Sequence, residues 1–264
     1  RLVLGGSDFL EYQREKLFKA GYTNPNKPPT VNYEALEALV NRLIQFKEVK
    51  SGDVNLFVEN IKATLCDDKS LAILSKIPHV SVSMGIETAD DTHLKKIGKA
   101  TRMKDIRTAV SLLKKHNIRY HAYFIHSLPG QTPETVKASV GLMNWLRYEG
   151  VEKITIYKFK PLPCTSFFRN HEPTKQMIKD AKPMVQKARE INMENKEQYI
   201  GKSVKVLIAE KDFRSDGDAV AYMLHGGPKI KLEGAGNLVN DKKVHRVRVE
   251  SAISDKIVLG TLLG

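Results

Sequence analysis

The alternation of short apolar runs with helical stretches constrains this chain more than any other feature. Residues 1–6, 54–59, 79–86, 118–126 and 153–159 are short, β-branched or aromatic, and bounded by turn residues, so each reads as a strand. Between them the apolar spacing becomes helical. Met103, Ile106, Val110 and Leu113 follow Thr101, which suits an N-cap, and Lys114, Lys115 and His116 suit the last turn. Thr132-Pro133-Glu134 opens another helix, with Val136, Val140, Met143 and Leu146 as its buried stripe and Gly150 as its stop. Residues 33–46 and 68–74 supply two more. Strands separated by such helices pair in parallel through right-handed crossovers, in a barrel or a doubly wound sheet.

The pattern changes near residue 170. Residues 171–198 are charged and helical, with Pro183 placed to kink or divide them. From Tyr199 onward the helical period is lost, and residues 203–209, 218–224, 229–233, 244–250 and 256–262 read as five short strands joined by Gly, Asp and Asn turns. Five such strands suit a small closed barrel of the OB-like kind. The expected organisation is a partial α/β barrel over 1–170, a helical linker over 171–198 and an all-β barrel over 199–264.

Composition narrows the function classes. No apolar run approaches the roughly 20 residues of a membrane span. Two cysteines, Cys66 and Cys164, cannot make a disulfide framework, which points to a reducing, cytoplasmic setting. Lys and Arg number 43 against 30 Asp and Glu, a net +13 that favours a polyanionic partner. The first residue is Arg1 rather than Met, opening directly on an apolar strand, so the natural N-terminus is expected upstream.

In a parallel barrel, chemistry gathers where the loops after the strands converge. Those positions carry Gly5-Gly6-Ser7-Asp8, Glu59-Asn60, Gly85-Ile86-Glu87-Thr88, His126-Ser127-Leu128-Pro129-Gly130-Gln131-Thr132 and Lys160-Pro161-Leu162-Pro163. Gly5 and Gly6 would admit a ligand to the backbone, and Asp8, Glu59 and Glu87 would receive an ammonium or ribose hydroxyls. The same glycines also suit plain turns, and the same carboxylates suit helix caps. His126 stands where it would face a site or serve as a hydrogen-bonded structural residue. No His-x-x-x-His or Cys/His spacing supports zinc, and no phosphate-loop or dinucleotide fingerprint is present.

Taken in order, these loops resemble the radical S-adenosylmethionine (SAM) superfamily over residues 1–168. Leu4-Gly5-Gly6-Ser7-Asp8 is similar to its two-glycine and acid motif, with a serine inserted. Gly85-Ile86-Glu87-Thr88 is similar to its fourth-strand signature, and Ser127-Leu128-Pro129-Gly130-Gln131-Thr132 to the loop after its fifth strand. The resemblance implies that Gly5, Gly6 and Asp8 hold the amino group of SAM; Glu59, from its place at a strand end, is a further candidate cofactor contact. Glu87 and Lys99 would lie near the ribose or carboxylate of SAM, and the backbone of residues 125–128, Ile125 and Ser127 included, beside adenine. Lys99 stands where relatives often carry arginine, keeping the charge but not the two-pronged contact. The family's [4Fe–4S] cluster needs thiolates from one tight loop, and Cys66 and Cys164, 98 positions apart, do not supply it. No metal ligand is therefore expected in this chain, the cluster cysteines being expected upstream, and the chain by itself is expected to be inactive.

In the tail, Lys205, Lys229 and Lys231 alternate with apolar residues, as do Arg246 and Arg248, so cations face out and the apolar set faces in. Such a face can track a phosphate backbone, or be merely solvated. Tyr199-Ile200-Gly201-Lys202 and the following strands resemble a TRAM domain, a small RNA-binding barrel. A radical SAM domain followed by TRAM resembles the tRNA methylthiotransferase group. That resemblance implies SAM and a [4Fe–4S] cluster as cofactors, a 5′-deoxyadenosyl radical as the hydrogen abstractor, and tRNA and an electron donor as partners. Two alternatives are a noncatalytic RNA-binding protein on a degenerate barrel and a cobalamin-type radical SAM enzyme with a non-RNA substrate.

Overall fold

A computed structural model describes residues 2–6, 8–17 and 31–263. Arg1 and Ser7, both within expected strand or loop motifs, lie outside the described residues. In chain order the first part runs β1 (Leu2–Leu4), α1 (Tyr33–Leu43), α2 (Lys47–Lys50), β2 (Leu56–Val58), α3 (Asp68–Leu74), β3 (Ser81–Glu87), α4 (Asp91–Lys96), α5 (Met103–Lys115), β4 (Arg119–His126), α6 (Pro133–Tyr148) and β5 (Lys153–Lys158). The five strands form one sheet in the order β1-β2-β3-β4-β5, and every neighbouring pair is parallel.

Local chemistry sets the helix ends. Asp67 accepts from Ser70 N at 2.7 Å and Ser70 Oγ accepts from Asp67 N at 3.0 Å, a reciprocal cap that starts α3. α6 begins on the Thr132 cap with Pro133 in its first turn. The expected cap of α5 shifts by one residue: Arg102 occupies that position, its backbone N–H donating to Asp105 Oδ2 at 2.8 Å, while Thr101 is buried. The helix expected over 33–46 ends at Leu43, and a separate turn, α2, follows.

β4 alternates strictly between half-buried and buried residues. Tyr120, Ala122 and Phe124 join the main core with Val82, Met84, Ile106, Val110 and Leu142. Arg119, His121, Tyr123 and Ile125 occupy the opposite face, the consequence of the two-residue strand period. There Phe57 stacks on His121 at 4.9 Å between centroids and Tyr123 meets Tyr157 edge-on at 5.8 Å.

α7 (Lys175–Asp180) and α8 (Lys182–Glu197) divide just before Pro183, which sits in the first turn of α8. The segment expected as a linker packs as a layer of the first unit. Met184, Ala188 and Ile191 of α8 belong to the main core, and Asn192 bonds both Ile154 N (2.8 Å) and Ile154 O (2.7 Å).

The tail contains β6 (Ser203–Asp212), β7 (Ser215–Met223), β8 (Lys229–Leu232), β9 (Val244–Ser254) and β10 (Ile257–Leu263). They close into a barrel in the order β10-β8-β7-β6-β9, parallel only between β10 and β8. Its own core includes Val206, Ile208, Ile230, Leu232, Val247 and Val249. Gly260 has no room for a side chain: a Cβ there would lie 2.5 Å from Val247 Cγ1 and 2.7 Å from Ile230 Cγ2.

The barrel docks at the N-terminal ends of the sheet strands. Arg119 donates to His79 O at 2.7 Å and Glu152 Oε1 at 3.4 Å, while Gly226 lies against its guanidinium. His225 faces His79 at 4.4 Å between ring centroids.

Candidate cofactor site at the strand ends

The opposite, C-terminal rim of the sheet collects the residues singled out from sequence. Three neighbouring strands end in left-handed backbone on residues other than glycine: Asn60 (φ 59°), Glu87 (φ 67°) and Ser127 (φ 58°). Such conformations cost free energy outside glycine and gather where geometry is fixed for a purpose.

Gly5 and Gly6 border open space. A Cβ on Gly6 would meet nothing within 4 Å, and one on Gly5 would meet only Glu59 Oε2 at 3.9 Å. Glu59 is half-buried, its backbone tied to Leu4 O at 3.0 Å. Its carboxylate has no ion-pair partner among the described residues and borders that space, suiting an ammonium or a pair of hydroxyls.

At the end of the neighbouring strand β3, Lys99 Nζ donates to Gly85 O at 2.6 Å and to Glu87 Oε1 at 2.7 Å. Two of its three protons are used, leaving one for an incoming carboxylate. Gly85 makes this pairing possible, since a Cβ there would lie 2.5 Å from Glu87 Oε1 and 3.3 Å from Lys99 Nζ. Ile125 lies on the open sheet face in register with Tyr157, an apolar wall below the rim.

Two expected contacts are turned away. Asp8 is buried, and its Oδ1 accepts from Leu10 N at 2.9 Å while Oδ2 accepts from Lys62 N at 3.1 Å. It pins the loop after β1 to the loop after β2. Burial pushes its carboxyl up to about 6, against the opposing pull of those N–H groups and of Lys62. Ser127 is fully buried, its N–H spent on Gln131 Oε1 at 2.7 Å and its Oγ on Met177 O at 3.2 Å. Neither faces the rim, because each satisfies backbone groups that would otherwise be orphaned. His126 is likewise buried, with Nδ1 on Ser127 Oγ at 2.9 Å; burial and then Lys158 lower its pKa.

In the sequence His93 is only one of several histidines without metal-ligand spacing. It is buried after β3, with Nδ1 on Thr88 Oγ1 at 3.1 Å and Nε2 on Pro129 O at 2.9 Å. A carbonyl only accepts, so Nε2 carries the proton. His93 therefore ties the loop after β3 to the loop after β4.

No three His, Cys, Asp or Glu side chains converge as a metal site among the described residues. Cys66 is buried, with its thiol pushed up by burial and by Asp8 and Asp67, whereas Cys164 is exposed. A cluster needs thiolates from one locality, and these residues do not fit one.

In the barrel, Lys205, Arg246 and Arg248 project outward from paired strands, with Lys205 opposite Arg246 and Ser203 opposite Arg248. None has a carboxylate partner among the described residues. Lys231, expected to face outward as an RNA contact, is engaged within the barrel, paired with Asp218 at 3.0 Å and Asp212 at 3.8 Å. Lys229 is shared with Glu210 at 3.5 Å and lies over the Tyr222 ring at 5.0 Å.

Residues 18–143 match the sequence profile of the radical SAM superfamily, a stretch that takes in α1 through most of α6. Over that stretch, just under half of its length, the chain is similar to the radical SAM superfamily. The match is narrower than the expected 1–168 and leaves out β1 and β5. The family uses SAM and a [4Fe–4S] cluster. An uncharacterized protein of Methanopyrus kandleri is 37% identical over 272 residues, covering 100% of this chain and 48% of its own length. The chain thus spans about half the length of the curated relatives it matches over its whole extent. A probable threonylcarbamoyladenosine tRNA methylthiotransferase of Pyrococcus horikoshii is 25% identical over 138 residues, covering 51% of this chain and 32% of its own. Among solved structures, Elp3 of Methanocaldococcus infernus aligns with TM-score 0.49 and 12% identity over 94% of this chain and 68% of its own. No described helix is long and apolar enough to cross a membrane.

Proposed function

We propose that this radical SAM domain binds SAM at the C-terminal rim of the sheet and serves a protein that modifies RNA, with tRNA methylthiolation as the reaction class. The observation that carries the SAM half is the open space beside Gly5 and Gly6, bordered by the unpaired Glu59 carboxylate, with the Glu87–Lys99 pair at the end of the next strand. Glu59 would receive the ammonium of SAM, and the third proton of Lys99 its carboxylate. Ile125 would supply an apolar contact for adenine.

SAM, when bound, supplies the adenosyl group from which the family's chemistry starts. This chain's residues orient it and shield it, while His93 holds two of the rim loops in register. The described residues do not furnish cluster ligands, so no step is assigned to them there. The TRAM-like reading of the barrel rests on the outward row of Lys205, Arg246 and Arg248, which suits successive phosphates of an RNA strand. The distant likeness to a probable tRNA methylthiotransferase supports the same substrate class.

The test incubates the full-length protein with SAM, a chemical reductant and tRNA, followed by mass spectrometry of the digested nucleosides. A mass increase in a tRNA nucleoside that requires SAM is expected. SAM cleavage with no change in any tRNA nucleoside would remove RNA as the substrate.

A further inference from the structure

A cavity of about 480 Å³ lies between the two units, at the N-terminal ends of the strands and so at the far end of the sheet from the rim. β4 has eight residues, which at roughly 3.3 Å each separates the two places by about 25 Å. Its walls come from the start of β5, the last turn of α8 and the barrel turns around Gly227 and Asp255. That volume is in the range of small-molecule sites.

Its charge is lopsided. Arg147, Lys153, Lys196, Lys229 and Lys256 line it against only Glu152 and Asp255. Glu152 is already committed, facing His121 Nε2 at 3.1 Å and Arg119 at 3.4 Å. Arg147 is held by Glu194 at 2.6 Å.

Lys196 is the unusual member. Its residue is 8% exposed, and its ammonium has one hydrogen bond, to Asn192 O of its own helix at 3.1 Å. Among the described residues no carboxylate lies within ion-pair distance of it. Burial, reinforced by Lys153, lowers its pKa to about 8, although Asp255 and Glu152 act the other way. A buried ammonium with one acceptor is costly unless something else completes its shell.

Two aromatic rings complete the walls: Tyr199, half-buried, and Tyr222, on the outside of β7. A cation cluster beside flat rings suits a phosphate attached to a base, the charge on the ammoniums and the base on a ring.

We infer that this inter-unit cavity binds a phosphate carried on a nucleoside, with Lys196 as its buried anchor and Lys256 at its mouth. Because both units line it, the ligand would also fasten the barrel to the sheet. The inference does not depend on the SAM reading of the opposite rim.

The test is calorimetric titration of the full-length protein with 5′-AMP, adenosine and a 5′-phosphorylated RNA trinucleotide, each repeated with SAM present. Saturable 5′-AMP binding, absence of adenosine binding and no competition by SAM are expected. Lys196→Met should weaken 5′-AMP about tenfold, the loss of one charge-assisted hydrogen bond, and the exposed Lys256→Ala should weaken it less. Tighter binding of the trinucleotide than of 5′-AMP would make an RNA strand the source of the phosphate, and the reverse would make it a free nucleotide. The inference is overturned if neither phosphorylated probe binds, if adenosine binds as well as 5′-AMP, or if both variants bind like the wild type.

Discussion

Asp8 separates two accounts of the loop after β1. If it contacted the cofactor, its replacement would alter SAM binding. Held instead by Leu10 N and Lys62 N, it should act on stability with a distinct pH signature. Its carboxyl titrates near 6 in the folded chain against an ordinary 3.8. A raised folded value means that stability is fully present below the unfolded pKa and is lost as pH rises through the folded one. Linkage between those two values makes the folded state about 1.3 kcal/mol more stable at pH 5 than at pH 7 through this group alone. Asp8→Asn removes the titration and turns an amide N–H toward the Lys62 N–H, a fixed cost of about 1–3 kcal/mol. Urea denaturation of both proteins at pH 7 and pH 5 isolates the effect, because His79 and His126, whose lowered pKa values work in the opposite direction, are common to both. The wild-type advantage should widen by about 1 kcal/mol on acidification, with SAM affinity unchanged at pH 7. A constant gap together with lost SAM binding would refute the placement of Asp8 as an internal brace.

Four further outcomes follow from named contacts. Gly85→Ala should break the Glu87–Lys99 pair while costing only about 1 kcal/mol of stability, so SAM titration should weaken while the thermal midpoint moves by a few degrees at most. Replacing Lys205, Arg246 and Arg248 together by Ala should flatten the logarithmic salt dependence of tRNA binding by about 2, at roughly 0.7 per phosphate contact on single strands. Lys231→Ala, whose cation is already engaged by Asp212 and Asp218, should leave that slope alone. Lys196→Met should stabilise the protein at pH 7 by about 1–3 kcal/mol in chemical denaturation, since the buried charge is removed and the stem retained. The lysine's folded pKa lies below its unfolded one, so wild-type stability rises with pH from about 8 toward the ordinary lysine value, and the variant's advantage should fade over that window.

The alternating strands and helices were readable because burial of one face imposes a period on the sequence, and both sheets follow it within a few residues at each end. α3 matches its expected bounds, as Asp67 and Ser70 encode its start locally. Orientation at loops was less legible. The Gly5-Gly6 run identified open backbone, but nothing in it told that Asp8 would turn inward to satisfy two N–H groups from different loops. Alternation showed that Lys231 faces outward, yet the carboxylates of Asp212 and Asp218 reach it only once β6, β7 and β8 are brought together. The roles of His93 and Lys196 were invisible for the same reason: their meaning lies in contacts between distant segments. α8 looked like a charged linker because only one narrow stripe, Met184, Ala188 and Ile191, is buried.

The proposed function places SAM at the C-terminal rim beside Glu59. Its most direct test is calorimetric titration of S-adenosylhomocysteine into the full-length protein and into its Glu59→Gln variant. Glu59 makes no ion pair among the described residues, so the variant should melt like the wild type. Its affinity should fall about tenfold through loss of the charge that receives the ligand's ammonium. Unchanged affinity in a folded Glu59→Gln protein would contradict the claim and move the cofactor away from this rim.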